Sequence, residues 1–283
     1  MIILSKSILA LFVLINLIQC EAVDKNVNVD NTSSLDEAVI VSSVIYAPVP
    51  TDQLSLSSVQ PESAEFIAAS SEEQKPKCHN YRTDFGKNVR GWEVENNLPY
   101  NQIGGRGPTL NATTYMLYGK VSATLRAAST GGSVTAFILI ADIGDEIDFE
   151  FIGGDNKHVQ TNYFWGKTIE YTVNGGIHAV EGGDVDKSFH KYTIDWRPDR
   201  ITWLVDDIII RTKTKAETCD GTGICKFPSH PARIQIGLWD GSIETGTAEW
   251  SNGPIDWSKP HSISAQLRDV QVECDPAFNQ IVT

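Results

Sequence analysis

From Cys78 to Cys274 short apolar runs are broken every few residues by Gly, Pro, Asn or Asp, and no long stretch keeps the 3.6-residue period of a helix. Tyr118 to Leu125, Val134 to Ala141, Glu146 to Ile152, Thr168 to Val173, Tyr192 to Trp196, Ile201 to Val205, Arg233 to Trp239 and Ser262 to Val272 each read as a strand. Many short strands with regular turn signals make an antiparallel sandwich, and about 200 residues is a size that all-β folds reach as one unit. The expected fold is all-β, with two packed sheets and a concave face on which a polymer can lie.

The flanks have other compositions. Lys6, the apolar stretch Ile8 to Ile15 and the small residues around Cys20 to Ala22 follow the layout of a secretory signal peptide, assigned to residues 1–20. Residues 21–77 hold ten acidic and three basic side chains and none of the seven tryptophans, the composition of an acidic flexible spacer. Its one apolar run, Ala38 to Val44, reads as a processed or partner-bound strand. The domain is expected over 78–274, followed by a short tail, 275–283, that lacks the hydrophobic stretch of a lipid-anchor signal. A secreted protein without a membrane anchor is therefore expected. A net charge of −13 and the absence of any Lys/Arg-rich run exclude nucleic acid as the natural partner.

Secretion would leave four cysteines in an oxidising compartment. Cys219 and Cys225 flank the turn-like Asp220–Gly221–Thr222–Gly223 and are expected to pair, so that Cys78 and Cys274 clasp the ends of the domain. No C-x-x-C pair and no H-E-x-x-H spacing is present, and neither a metal nor another cofactor is expected. Asn31 and Asn111 each begin an N-x-[ST] triplet and are candidate glycosylation sites.

The chemistry is concentrated in Asp145–Glu146–Ile147–Asp148–Phe149–Glu150–Phe151. On a strand, alternate side chains share a face, so Ile147, Phe149 and Phe151 enter the core while Glu146, Asp148 and Glu150 line up on the other side. Three carboxylates in a row repel one another, and solvated outer faces usually mix Thr, Lys and Ser with their acids. Retaining glycoside cleavage needs two carboxyl groups about 5 to 5.5 Å apart, one ionised and one protonated. Residues four apart on a flat strand are about 13 Å apart, so the strand must curve until both glutamates lean over Asp148. Glu146 is assigned as nucleophile, Glu150 as general acid/base, and Asp148 as the helper that separates their pKa values.

This motif, with Asp155 and Gln160–Thr161–Asn162–Tyr163–Phe164–Trp165 after it, resembles the glycoside hydrolases of family 16 and, within them, the fungal Crh-type cell-wall transglycosylases. Tyr118 to Ala123, Val134 to Ile138, Asp195–Trp196, Ile201 to Trp203, Gly246 to Trp250 and Ile255 to Trp257 extend the resemblance over nearly all of residues 78–272. The resemblance implies a concanavalin A-like β-jelly roll and places the same roles on the E-x-D-x-E glutamates. It implies transfer of cleaved chitin chains onto β-1,3- or β-1,6-glucan in the fungal cell wall, with chitin and β-glucan as partners. The competing readings are an endo-hydrolase of chitin or β-glucan and a non-catalytic lectin. A lectin has no need to crowd three carboxylates.

Parity also selects sugar contacts. In Arg233 to Trp239, Ile234, Ile236 and Leu238 face the core, leaving Gln235 and Trp239 for the cleft, where an indole stacks on a sugar ring and an amide bonds its polar groups. The resemblance points to this Gln and Trp and adds Thr247, with Trp250 as a second platform. Gln160 and Asn162 are favoured over Tyr163 and Trp165 on their strand, since amides bond sugar hydroxyls well. Trp196, Trp203 and Trp257 are expected in the core.

Overall fold

The computed structural model describes residues 39–40, 75–95, 106–167, 170, 172–258 and 262–282. The expected signal peptide and Asn31 lie outside them. Two antiparallel sheets enclose one main core. The back sheet runs β1 (Val39–Ile40), β15 (Gln266–Cys274), β6 (Gly119–Arg126), β11 (His190–Trp196), β12 (Arg200–Val205), β13 (Ile208–Thr214), with β3 (Tyr81–Asp84) also paired to β15. The front sheet runs β10 (Gly176–Ala179), β9 (His158–Phe164), β8 (Glu146–Ile152), β7 (Ser133–Ala141), β14 (Ala232–Asp240), β5 (Arg106–Met116), β4 (Trp92–Glu95). A parallel ribbon of β2 (Lys77–Cys78) and β16 (Gln280–Ile281) joins the two ends of the domain.

The core forms because β-branched and aromatic residues recur at every second position of facing strands. Phe137, Phe149 and Phe151 of the front sheet meet Tyr192, Ile194, Trp196 and Trp203 of the back sheet, all fully buried. Phe151 and Tyr192 contact edge to face with centroids 4.5 Å apart. Trp203 also sends its Nε1–H across the layers to the backbone oxygen of Asp148 at 3.0 Å. Trp257 joins Leu238, Ile255 and Ile263 in a smaller cluster and donates its indole N–H to Asp240 at 2.8 Å.

Both disulfides join the expected partners, Cys78 with Cys274 and Cys219 with Cys225. Residues 275–282, read as a tail, fold back onto the domain: Phe278 packs on Tyr118 with centroids 4.8 Å apart, and buried Asn279 bonds the backbone of Leu117 in both directions. Val39 and Ile40, from the apolar run of the acidic segment, pair with Leu267 and Gln266 of the chain's own β15. The strand expected over 168–173 is absent at the described positions 170, 172 and 173; Thr172 has φ 63°, a left-handed turn conformation, and the strand starts later at Gly176. Likewise β15 starts at Gln266 rather than Ser262.

Candidate active site

Strand β8 has Ile147, Phe149 and Phe151 buried in the core and Glu146 and Glu150 half-buried on the open face, with Asp148 between them at 2% exposure. The alternation that fills the core therefore fixes three carboxyls in file. Asp145, immediately before them, is 1% exposed and anchors the start of the strand. Its Oδ1 accepts the Gly166 amide at 2.7 Å, and its Oδ2 accepts the Ser229 amide at 2.7 Å and His230 Nδ1 at 2.9 Å.

Burial sets the electrostatics of the three. Removal from water raises Glu146 to about 7 and Glu150 to about 8. Asp148 is raised well above the ordinary aspartate value, first by burial and then by the charges of Glu146 and Glu150. A protonated Asp148 donates its O–H to the Glu146 carboxylate, and this bond lowers Glu146 relative to Glu150. The environments thus separate the two glutamates in the direction that an ionised nucleophile and a protonated acid require.

The strand register gives the rest of the floor. Asp148 pairs across β9 with Asn162 and across β7 with Ile138; Ile138 pairs with Gln235, and Gln235 with Asn111 on β5. One row therefore crosses the front sheet through Asp148, polar at Asn162, Asp148, Gln235 and Asn111 and interrupted by Ile138. Beside it, Glu150 pairs with Gln160 and Ala136, and Ala136 with Gly237. A Cβ at Gly237 would stand 2.9 Å from Thr109 Oγ1, so only glycine lets β5 approach this closely and keeps the floor low next to Glu150. Farther along β14, Trp239 stacks on Trp250 at 5.9 Å between centroids, and Trp250 Nε1 donates to Gln160 Oε1 at 2.9 Å.

Gln160, Asn162, Gln235, Trp239 and Trp250 are thereby brought onto the face that carries the glutamates. Trp250 and Thr247 sit on a short helix, α1 (Thr245–Trp250), one turn apart on the same side. Helix α1 escaped the strand-by-strand reading because six residues are too few to show a period. Tyr163 lies in the core, as do Trp196, Trp203 and Trp257.

Asn111 is a correction. It is 0% exposed, and its Oδ1 accepts Gln235 Nε2 at 2.6 Å, so it has no room for a glycan and belongs to the site floor. Parity along β5 would have placed it there, but Arg106–Met116 was not among the segments expected as strands. The β14–β5 ladder accommodates Pro108 by shifting register between Gly237 and Trp239. Two further residues were not foreseen. Phe164 pairs with Glu146 and is 5% exposed, supplying an apolar wall beside it. Arg211 of the back sheet lies 4.7 Å from the Trp203 ring and donates to Thr161 O at 3.0 Å and to Asn174 O at 2.6 Å, clamping β9 and the segment before β10. No periodicity marks a cation that reaches between layers. Among the described residues no cluster of His, Cys, Asp and Glu is placed to hold a metal ion.

The model of the glycosyl hydrolases family 16 matches residues 68–259. The chain is 40% identical over 190 residues to Crh-like protein 2 of Aspergillus fumigatus, covering 63% of this chain and 42% of that one. It is 36% identical over 180 residues to Congo red hypersensitive protein 2 of Saccharomyces cerevisiae, covering 60% and 38%. It thus spans about two-fifths of the length of these curated relatives. Among solved structures, the Crh5 transglycosylase in complex with NAG superposes with a TM-score of 0.63 at 32% identity, covering 71% of this chain and 86% of that one. A Bacillus licheniformis β-glucanase superposes with a TM-score of 0.56 at 21% identity over 70% of this chain and 99% of that one, a likeness of fold.

Proposed function

The chain belongs to the glycosyl hydrolases family 16, and from that membership and the carboxyl geometry we propose that it is a secreted retaining transglycosylase of the fungal cell wall, cutting chitin and joining the fragment to β-glucan. The observation that carries this reading is buried Asp148 between half-buried Glu146 and Glu150, three carboxyls in file on one strand. The Glu146 carboxylate attacks the anomeric carbon, and the bond to the leaving oxygen breaks as Glu150 gives that oxygen its proton. A sugar hydroxyl then attacks the same carbon; its proton passes to Glu150, and the ester to Glu146 is released. Gln235, Asn162 and Gln160 hold the sugars by their amides, while Trp239 and Trp250 supply stacking surface. Thr247 flanks Trp250. Identity to a protein described as a transglycosylase supports transfer over hydrolysis.

We assign residues 1–20 as the signal peptide and 21–77 as a spacer whose last residues and Val39–Ile40 strand touch the domain. The test is incubation of the protein with chitin oligomers and a fluorescent laminarin oligosaccharide. Labelled polymer is the expected product. Shortened chains without label, across a range of acceptors, would make the protein a hydrolase, and sugar binding without either product would make it a lectin.

A further inference from the structure

We infer that Asn111 is a positioning residue that fixes the polarity of the Gln235 amide toward the substrate. The inference rests on the placement of sugar on the open face proposed above. Asn111 and Gln235 are directly paired across β5 and β14, and Gln235 Nε2 donates to Asn111 Oδ1 at 2.6 Å. That bond commits one N–H of Gln235 to the sheet and fixes which way the amide is turned. Its Oε1, with no hydrogen bond among the described residues, is left to accept from a substrate hydroxyl or acetamido N–H. Gln235 lies on the row that passes through Ile138 to Asp148, so the acceptor stands on the same face as the reacting carboxyls, two strands away.

Asn111 is otherwise an unfavourable choice for this position. It is 0% exposed, and its Nδ2 has no hydrogen-bond partner among the described residues. A buried donor left without a partner destabilises a fold, and a leucine of similar size would avoid it. Retaining an amide here is explained by what it does for Gln235. A free glutamine side chain turns its oxygen and nitrogen outward about equally; one held through one N–H keeps its oxygen turned to the ligand, with the second N–H as its remaining donor, and no ordering of the amide is needed on binding.

The experiment is a double-mutant cycle in the Glu146→Gln background, with chitin-oligosaccharide affinity measured by calorimetry. Asn111→Leu is expected to weaken binding about tenfold, the scale of one hydrogen bond. Gln235→Leu should weaken it as much, and the two together no more than Gln235→Leu alone. Asn111→Asp, which still accepts from Nε2, should stay within about twofold of the parent. Additive losses, or equal losses for Asn111→Leu and Asn111→Asp, would overturn the inference by showing Asn111 to act on the fold at large. The side-chain amide NMR resonance of Gln235 provides a readout that needs neither sugar nor turnover. It should lie away from the free-glutamine position and move to it in Asn111→Leu, and a resonance unmoved by that change would refute the link. If the parent binds no oligosaccharide while the resonance behaves as expected, the sugar reading fails and the Asn111–Gln235 link stands.

Discussion

Trp203, fully buried on the back sheet, donates its indole N–H to the backbone oxygen of Asp148 at 3.0 Å. The middle of the carboxyl file is thus tied from behind to the other layer of the sandwich. Trp203→Phe preserves most of the packing and removes this bond. It should cost about 1 to 3 kcal/mol of stability and lower kcat more than it changes KM, since the strand that carries the carboxyls is held in place by fewer contacts. Thermal unfolding and steady-state kinetics on the same preparation check both parts.

The second expectation concerns pH. Transfer needs Glu146 ionised and Glu150 protonated, and burial raises them to about 7 and about 8. The profile of kcat/KM should be a narrow bell with its maximum between these values, the two limbs belonging to the coupled pair. Because the proton on Asp148 favours the ionised form of Glu146, Asp148→Leu should move the acid limb to higher pH, whereas Asp148→Asn, still a donor, should leave it in place.

Stability should carry the same signature with a definite sign. Glu150 is raised from 4.5 to about 8 in the folded protein, so its protonated form is the one the fold prefers. That preference contributes fully below the unfolded value and is lost as pH rises through the folded one. Glu150→Gln should therefore match the wild type in melting temperature near pH 4 and exceed it near pH 9. Activity should fall about 10²- to 10⁴-fold, the usual contribution of a general acid.

Much of this was legible because period-two alternation writes both faces of a strand at once. The alternation that makes Ile147, Phe149 and Phe151 core puts Glu146, Asp148 and Glu150 on the opposite face, and the same logic placed Gln235 and Trp239 on that face. Asn111 was misread because its triplet matches a glycosylation signal and its segment was not expected as a strand. Arg211 and the Trp203 bond to Asp148 join different sheets, and contacts between layers leave no periodic trace in the chain. The Trp250 bond to Gln160 spans 90 positions and depends on a helix of six residues.

The Trp250 contact makes the fourth expectation. Trp250→Phe retains a ring against Trp239 but frees Gln160, and should raise KM a few-fold with kcat unchanged. Trp250→Ala also removes the stacking surface and should raise KM about tenfold further, in line with an aromatic contact of about 1 kcal/mol or more. A fall in kcat with KM constant would place Trp250 in the chemistry instead of the binding surface. Initial rates over a range of chitin-oligomer concentrations distinguish these outcomes.

The most direct test of the account is to trap the intermediate. In Glu150→Gln, a chitin oligosaccharide with an activated aryl leaving group needs no acid to depart, while the missing base slows the second step. Intact-mass and peptide mass spectrometry should then find one glycosyl group bound to the peptide containing Glu146, and at Glu146 itself. Release of the aryl group with no adduct at Glu146, and products of inverted anomeric configuration, would contradict the assignment of that residue as nucleophile.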